Sequence, residues 1–238
     1  MTRTIVITGG SRGIGRQVAR RFADTGAEVV ITGRSGRVHE TAAELGVTGI
    51  ECDAGDPAGV ESFAARLAGG VDVLVNMAGG NSDLTAPAPR TLEELAAQWH
   101  ANLSANLLTA VLTTTALRER LRPGGAVINV GSIGAEYASS SYGAAKAALA
   151  AWSAGLSAEL GPSDITVNLV APGYIEDTDF FHGRLTDERR DQLIAATHDK
   201  RPGNPGDVAG LIEFLASPQA RHLTGQTIHL NGGAYTTR

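Results

Sequence analysis

The chain has 238 residues, 42% hydrophobic and 19% charged, which is enough apolar material for a folded core and too little charge for a disordered chain. Its 20 basic and 25 acidic residues leave a net charge of −5 with no basic stripe, which argues against a nucleic-acid partner. The single Cys52 excludes an internal disulfide and suits a reducing compartment. No apolar run reaches transmembrane length and residues 1–7 run straight into a strand, so a cytoplasmic protein without a signal peptide or membrane contact is expected.

In chain order, the β-branched run at 4–8 reads as a buried strand, and 13–25 as a helix with Ile14, Val18, Ala19 and Phe22 on one face. A strand at 28–32, a helix at 38–45 and a strand at 48–52 follow. Pro57 opens a helix to Leu67, as a first-turn proline can. Next come a strand at 71–75, a long helical region at 92–121, a strand at 126–131 and a helix at 142–160. A strand at 165–170, a helix at 205–216 and a strand at 227–230 complete the series, with 79–90 and 173–202 irregular. Alternating strands and helices predict one α/β domain over 1–238, a Rossmann-type doubly wound parallel sheet of about seven strands with helices on both faces.

The first strand-to-helix turn reads Thr8-Gly9-Gly10-Ser11-Arg12-Gly13-Ile14-Gly15. Glycines let a backbone bend tightly and approach a ligand, and the helix start that follows offers free N–H groups to a pyrophosphate. The second strand ends in Thr32-Gly33-Arg34-Ser35, without the acid that an NAD-selective site uses to hold the ribose 2′-OH. Arg34 is placed to pair with a 2′-phosphate and Arg12 adds a second cation, so NADP(H) is favoured over NAD(H). The plain alternative is two surface arginines.

A serine run then leads into Tyr142-Gly143-Ala144-Ala145-Lys146. Tyr142 and Lys146 are four apart and share one helix face. A phenol near pKa 10 is a poor acid or base at neutral pH, and a nearby ammonium lowers that value, so the pair is a workable acid/base unit for a carbonyl or alcohol. Alone it reads equally as a surface tyrosine beside a solvated lysine.

Thr8-Gly9-x-x-x-Gly13-Ile14-Gly15, Asn76-Met77-Ala78-Gly79, Ser132, Tyr142-x-x-x-Lys146 and Pro172-Gly173, in that order, resemble the short-chain dehydrogenase/reductase family over nearly the whole chain. Leu223-Thr224-Gly225-Gln226 and Asn231-Gly232-Gly233 also fit its classical branch, and the sequence is most similar to 3-oxoacyl-acyl-carrier-protein reductases and related ketoreductases. The resemblance implies that Gly9, Ser11, Arg12, Gly13, Ile14 and Gly15 cradle the cofactor phosphates, with Arg34 and Ser35 at the 2′-position. It implies that Asp53 and Ala54 meet the adenine, and Asn76, Ala78 and Gly79 its ribose. Pro172, Gly173, Ile175 and Thr178 would border the nicotinamide.

It further implies a catalytic set in which Ser132 bonds the substrate oxygen, Tyr142 is the acid or base, Lys146 holds the nicotinamide ribose and depresses the Tyr142 pKa, and Asn102 holds a relay water. Plainer roles exist for Asp53 as a turn former, Asn102 at a helix kink and Ser132 as a loop hydroxyl. A substrate lid near 176–197 and a homotetramer or homodimer are implied as well.

Three departures bear on detail. Met77 stands where the family often has Asn or Ala, the run from Ser132 to Tyr142 is short, and Glu176-Asp177 adds a residue before Thr178. The six histidines show no metal-ligand spacing, so no metal is expected. Arg118, Arg120 and Arg122 read as cations complementing a helix end, or as a dock for an acidic carrier protein.

The expected function is an NADPH-dependent reductase of a 3-oxoacyl or polyketide-like ketone, free or carrier-bound. The alternatives are an NADP-dependent enzyme of a small alcohol, sugar or cyclic ketone, or a non-catalytic cofactor-binding regulator.

Overall fold

The computed structural model describes residues 2–237. Seven strands make one all-parallel sheet in the order β3-β2-β1-β4-β5-β6-β7. They are β1 (Thr4–Thr8), β2 (Glu28–Gly33), β3 (Thr48–Glu51), β4 (Val71–Asn76), β5 (Leu121–Val130), β6 (Thr166–Pro172) and β7 (Thr227–Leu230). The helices are α1 (Gly13–Asp24), α2 (Arg37–Leu45), α3 (Pro57–Ala65), α4 (Leu92–Leu103), α5 (Thr109–Leu117), α6 (Gly134–Tyr137), α7 (Ser141–Leu160), α8 (Asp187–Ala196) and α9 (Pro205–Leu215).

Side chains alternate across a strand, and here each face has its own helix layer. Ile5, Ile7, Val73 and Val75 pack with Val18 and Phe22 of α1 and Ile212 of α9. Val6, Leu74 and Val127 point the other way, onto Phe63 of α3, Leu117 of α5 and Leu156 of α7. The doubly wound α/β sheet expected from the alternation of elements is therefore present. Strand order reverses between β1 and β4, where Thr8 pairs with Asn76 in parallel register. In such sheets ligands bind beyond the strand ends at this reversal, so the fold brings the glycine turn after β1 and the Asn76 turn after β4 to one crevice.

Two expected elements differ. The helical region at 92–121 is broken by a π-helical turn at Ser104–Leu108 and ends in a 3-10 turn at Arg118–Arg120. Side chains compete for helix carbonyls there: Asn106 Nδ2 donates to Asn102 O at 3.0 Å and Thr109 Oγ1 to Ala105 O at 3.0 Å. The irregular stretch 173–202 contains α8, started by Thr186, whose hydroxyl accepts from the Arg189 N–H at 3.2 Å, with Asp187 and Glu188 at its positive end.

Candidate active site

The glycine turn is shaped by close approach. A Cβ on Gly15 would lie 2.2 Å from the Gly9 carbonyl, and Gly13 has φ of +50°, where side chains are disfavoured. Arg12, the N-cap of α1, is extended and makes no side-chain capping bond, and no acid occupies the first turn. The start of α1 thus keeps its positive end for an anion, with Ile14 at its first turn. Thr41 Oγ1 donates to Ser11 O at 2.9 Å, which fastens the turn to α2. Thr8 Oγ1 accepts from the N–H groups of both Met77 and Ala78 at 3.0 Å, locking the β1 and β4 turns together.

Arg34 and Ser35 are exposed just beyond β2. Arg37, which the sequence reading passed over, opens α2 and stands 4.0 Å from Asp179, while Arg12 stands 3.5 Å from the same carboxylate. A carboxylate already lies between two guanidinium groups, so these residues fit a phosphate-bearing cofactor. Arg37 could have been found from its place three residues after Arg34.

Asp53 is exposed and its Oδ1 accepts from Gly55 N–H at 3.0 Å, so it does form a turn; Ala54 beside it is buried. Burial and the neighbouring Asp53 and Asp56 push the Cys52 thiol up, away from nucleophile character. Asn76 differs from expectation in its side chain. Its Nδ2 donates to Thr114 Oγ1 at 2.9 Å and Asn129 Oδ1 at 2.8 Å, so the amide hydrogens serve the core and not a ribose. Gly79 is held close, since a Cβ there would lie 2.7 Å from Asn106 Oδ1.

Ser140 caps α7 by accepting from Gly143 N–H at 3.1 Å. Tyr142 and Lys146 follow on one inward face, and both are buried. Ser132, after β5, accepts from Gly134 N–H at 3.0 Å. Burial pushes the Tyr142 phenol up to about 12, with the polar Ser132 hydroxyl opposing. Burial pushes Lys146 down to about 8; its Nζ donates to Val130 O at 2.8 Å. Desolvation dominates both groups, and the Lys146 ammonium bonds a backbone carbonyl rather than the phenol.

Asn102 lies within a side-chain network beside α7. Its side chain is completely buried: Nδ2 donates to Asp83 and Ser141, and Oδ1 accepts from Ser82 N–H at 3.2 Å, so the amide offers no free donor to a relay water. Asp83 and Ser141 were missed, because no local spacing links them to Asn102.

Pro172 ends β6 and Gly173 passes against Asn231. Ile175 bridges to Gly203, and Thr178 Oγ1 donates to Ile175 O at 3.1 Å. The Thr178 methyl lies 3.7 Å from where a Cβ of Gly13 would be, so this segment crosses the glycine turn. Two residues later, the Phe180 ring lies 5.7 Å from that of Tyr142.

Among the described residues no three His, Cys, Asp or Glu side chains gather as metal ligands, and no helix is long and apolar enough to cross a membrane. The three arginines near β5 are engaged within the chain: Arg118 with Glu159, Arg120 with Leu67 O, and Arg122 with Asp72.

Comparison with known proteins agrees with this layout. A family model described as enoyl-(acyl carrier protein) reductase matches residues 9–235. The 3-oxoacyl-[acyl-carrier-protein] reductase FabG of Vibrio cholerae is 35% identical, over 97% of this chain and 96% of its own. A short-chain dehydrogenase/reductase of Brucella melitensis, titled glucose/ribitol dehydrogenase, superposes with a TM-score of 0.88 at 33% identity, covering 99% of this chain and 97% of that one. A blue fluorescent protein from a metagenomic library, solved with NADPH, gives a TM-score of 0.86 at 32% identity, covering 98% of both chains. With its fold, its crevice and these likenesses, the chain belongs to the short-chain dehydrogenase/reductase family and is an NAD(P)-dependent oxidoreductase.

Proposed function

We propose that this ketoreductase uses NADPH to reduce the ketone of a 3-oxoacyl or polyketide-like substrate, with residues 1–238 acting as one domain and 176–197 as its substrate lid. The observation that carries the reading is the buried pair of Tyr142 and Lys146 on one face of α7, with the half-buried Ser132 hydroxyl after β5 beside them. Arg34, Arg37 and Arg12, with no acid at the end of β2, support the 2′-phosphate form; the name of the Vibrio relative supports the acyl substrate.

The glycine turn, Arg34 and Ser35 would hold the phosphates, Asp53 and Ala54 the adenine, and Ala78 and Gly79 the ribose. Pro172, Gly173, Ile175 and Thr178 would border the nicotinamide. Bound NADPH supplies the hydride. As negative charge grows on the carbonyl oxygen, the Ser132 hydroxyl and the Tyr142 phenol donate to it, which selectively stabilises the transition state. Tyr142 then yields its proton, and the Lys146 ammonium stabilises the phenolate left in a water-poor site. Phe180 keeps water from that phenol.

NADPH oxidation measured against 3-oxoacyl thioesters, free and carrier-bound, and against sugars, polyols and cyclic ketones tests the reading. Turnover confined to a sugar or polyol, the class in the Brucella relative's title, would replace the acyl substrate. No turnover with any carbonyl, alongside tight NADPH binding, would favour a non-catalytic regulator.

A further inference from the structure

The loop after β4 carries an acid that no part of the hydride-transfer scheme uses. Asp83 lies on a 3-10 turn, Ser82–Leu84. Its carboxylate accepts from Asn102 Nδ2 at 2.7 Å and from Ser141 Oγ at 2.7 and 3.0 Å. Asn102 Nδ2 also donates to Ser141 Oγ at 2.8 Å, and the Tyr142 N–H reaches Asp83 Oδ2 at 3.3 Å. Both amide hydrogens of Asn102 and the one hydroxyl hydrogen of Ser141 are therefore used, and the ring closes with no donor left over.

A carboxylate is what this ring requires. It is acceptor-only, so it can face an amide NH2, a hydroxyl and a backbone N–H together, and charge makes each bond stronger. It also sits at the start of α7, where the helix favours a negative group. Asp83 is itself held, since its own N–H donates to Asn81 Oδ1 at 3.0 Å. The contacts end on the backbone N–H of Tyr142, the residue whose phenol must meet the substrate oxygen.

We infer that Asp83 is a positioning residue for the reaction: it clamps Asn102 and the first turn of α7 into one unit and thereby sets where the Tyr142 phenol stands. This rests on Tyr142 as the proton donor. Reaction rates fall steeply when a reacting group is displaced by even an ångström, so loosening this clamp acts on kcat.

The test is Asp83→Asn, which keeps size but must turn an NH2 group either toward the NH2 of Asn102 or, in the other orientation, toward the N–H of Tyr142. With saturating NADPH and an accepted carbonyl, kcat should fall about 10- to 100-fold, while the NADPH Kd by fluorescence stays within about threefold and the circular dichroism is unchanged. Ser141→Ala should cost less in the Asp83→Asn background than in the unaltered protein, because the two share one network.

Tyr142→Phe is assayed beside them. If Tyr142→Phe is inactive and Asp83→Asn turns over like the unaltered protein, the positioning role is wrong and the proton donor stands. If Tyr142→Phe is itself active, both assignments fall. A loss that follows only the unfolded fraction, or appears equally in NADPH affinity, would make Asp83 a support of the fold and overturn the inference.

Discussion

Lys146 donates to the Val130 carbonyl at 2.8 Å while its Nζ stands 5.9 Å from the centre of the Tyr142 ring. The ammonium is thus held near the phenol without bonding it, in surroundings that push Lys146 to about 8 and Tyr142 to about 12. Below pH 8 the lysine is charged and the phenol protonated, which is the state that carbonyl reduction needs. Above it Lys146 loses its proton while Tyr142 keeps its own. Reduction at saturating NADPH should therefore be level at low pH and fall as pH rises through about 8. A kcat profile that stays level to about pH 10 would show that Lys146 does not act through its charge.

The same buried ammonium is a stability liability. Lys146 has a folded pKa of about 8 against an ordinary 10.5, so between these values the unfolded chain holds a proton that the folded chain has released. Stability should rise with pH across that window and be lower beneath it by about 3 kcal/mol. Tyr142 acts in the opposite sense only above pH 10, since its pKa is raised from 10.0 to about 12. Lys146→Met removes the desolvated charge and gives up the bond to Val130 O, a loss of about 1 kcal/mol. Its urea midpoint at pH 7 should exceed that of the unaltered protein by a difference worth about 2 kcal/mol, and the rise above pH 8 should vanish, while turnover is lost. Equal midpoints at pH 7 would mean that burial of this charge costs the fold nothing.

Tyr142→Phe deletes the phenol and keeps the ring that packs 5.7 Å from Phe180. NADPH should bind almost as before and turnover should nearly disappear. Ser132→Ala removes one of two donors to the substrate oxygen and the polar hydroxyl that opposes the rise in the Tyr142 pKa, so a loss of about 100- to 1,000-fold in kcat is expected. Single-turnover kinetics with saturating NADPH decide both; a Tyr142→Phe rate near that of the unaltered protein would place the proton source elsewhere.

Cofactor choice depends on the cations beyond β2. Arg34→Asp should weaken NADPH and admit NADH, moving the ratio of their dissociation constants by about tenfold or more, since a charge-assisted phosphate bond is replaced by like-charge repulsion. Arg37→Ala should weaken NADPH and leave NADH nearly unchanged. Tighter binding of NADH than NADPH by the unaltered protein would refute the preference at once.

What the sequence disclosed was what local spacing encodes. The short apolar, β-branched runs and the amphipathic 13–25 segment specify the sheet and its first helix, and the four-residue step from Tyr142 to Lys146 puts both on one face without tertiary knowledge. The clamp was hidden because Asp83 meets Asn102 and Ser141 across separations of 19 and 58 residues, which no periodicity reports. The break at Ser104–Leu108 was hidden because it comes from side chains bonding carbonyls inside an otherwise helical run. Helix α8 was missed because it buries no side chain, so it has no apolar stripe to announce it. The pKa directions of Tyr142 and Lys146 follow from burial, which the helix spacing does not carry.

Assembly is the last expectation. Leu92, Leu95 and Trp99 recur along one side of α4 and are 83%, 38% and 41% exposed, with Leu108 on the following turn 45% exposed. A run of large apolar side chains left to solvent marks a surface that gains by being covered. The resemblance of the chain to its family implies that the cover is another copy, in a homotetramer or homodimer. A tryptophan offers roughly 200 Å² of contact and is a frequent centre of such interfaces. Trp99→Glu should therefore lower the mass measured by light scattering at micromolar concentration, while the circular dichroism of the separated chains persists, because Trp99 is half exposed and its loss empties no core position. If the unaltered protein already has the mass of a single chain, this surface is not a contact between copies. If Trp99→Glu assembles as before, the contact lies elsewhere.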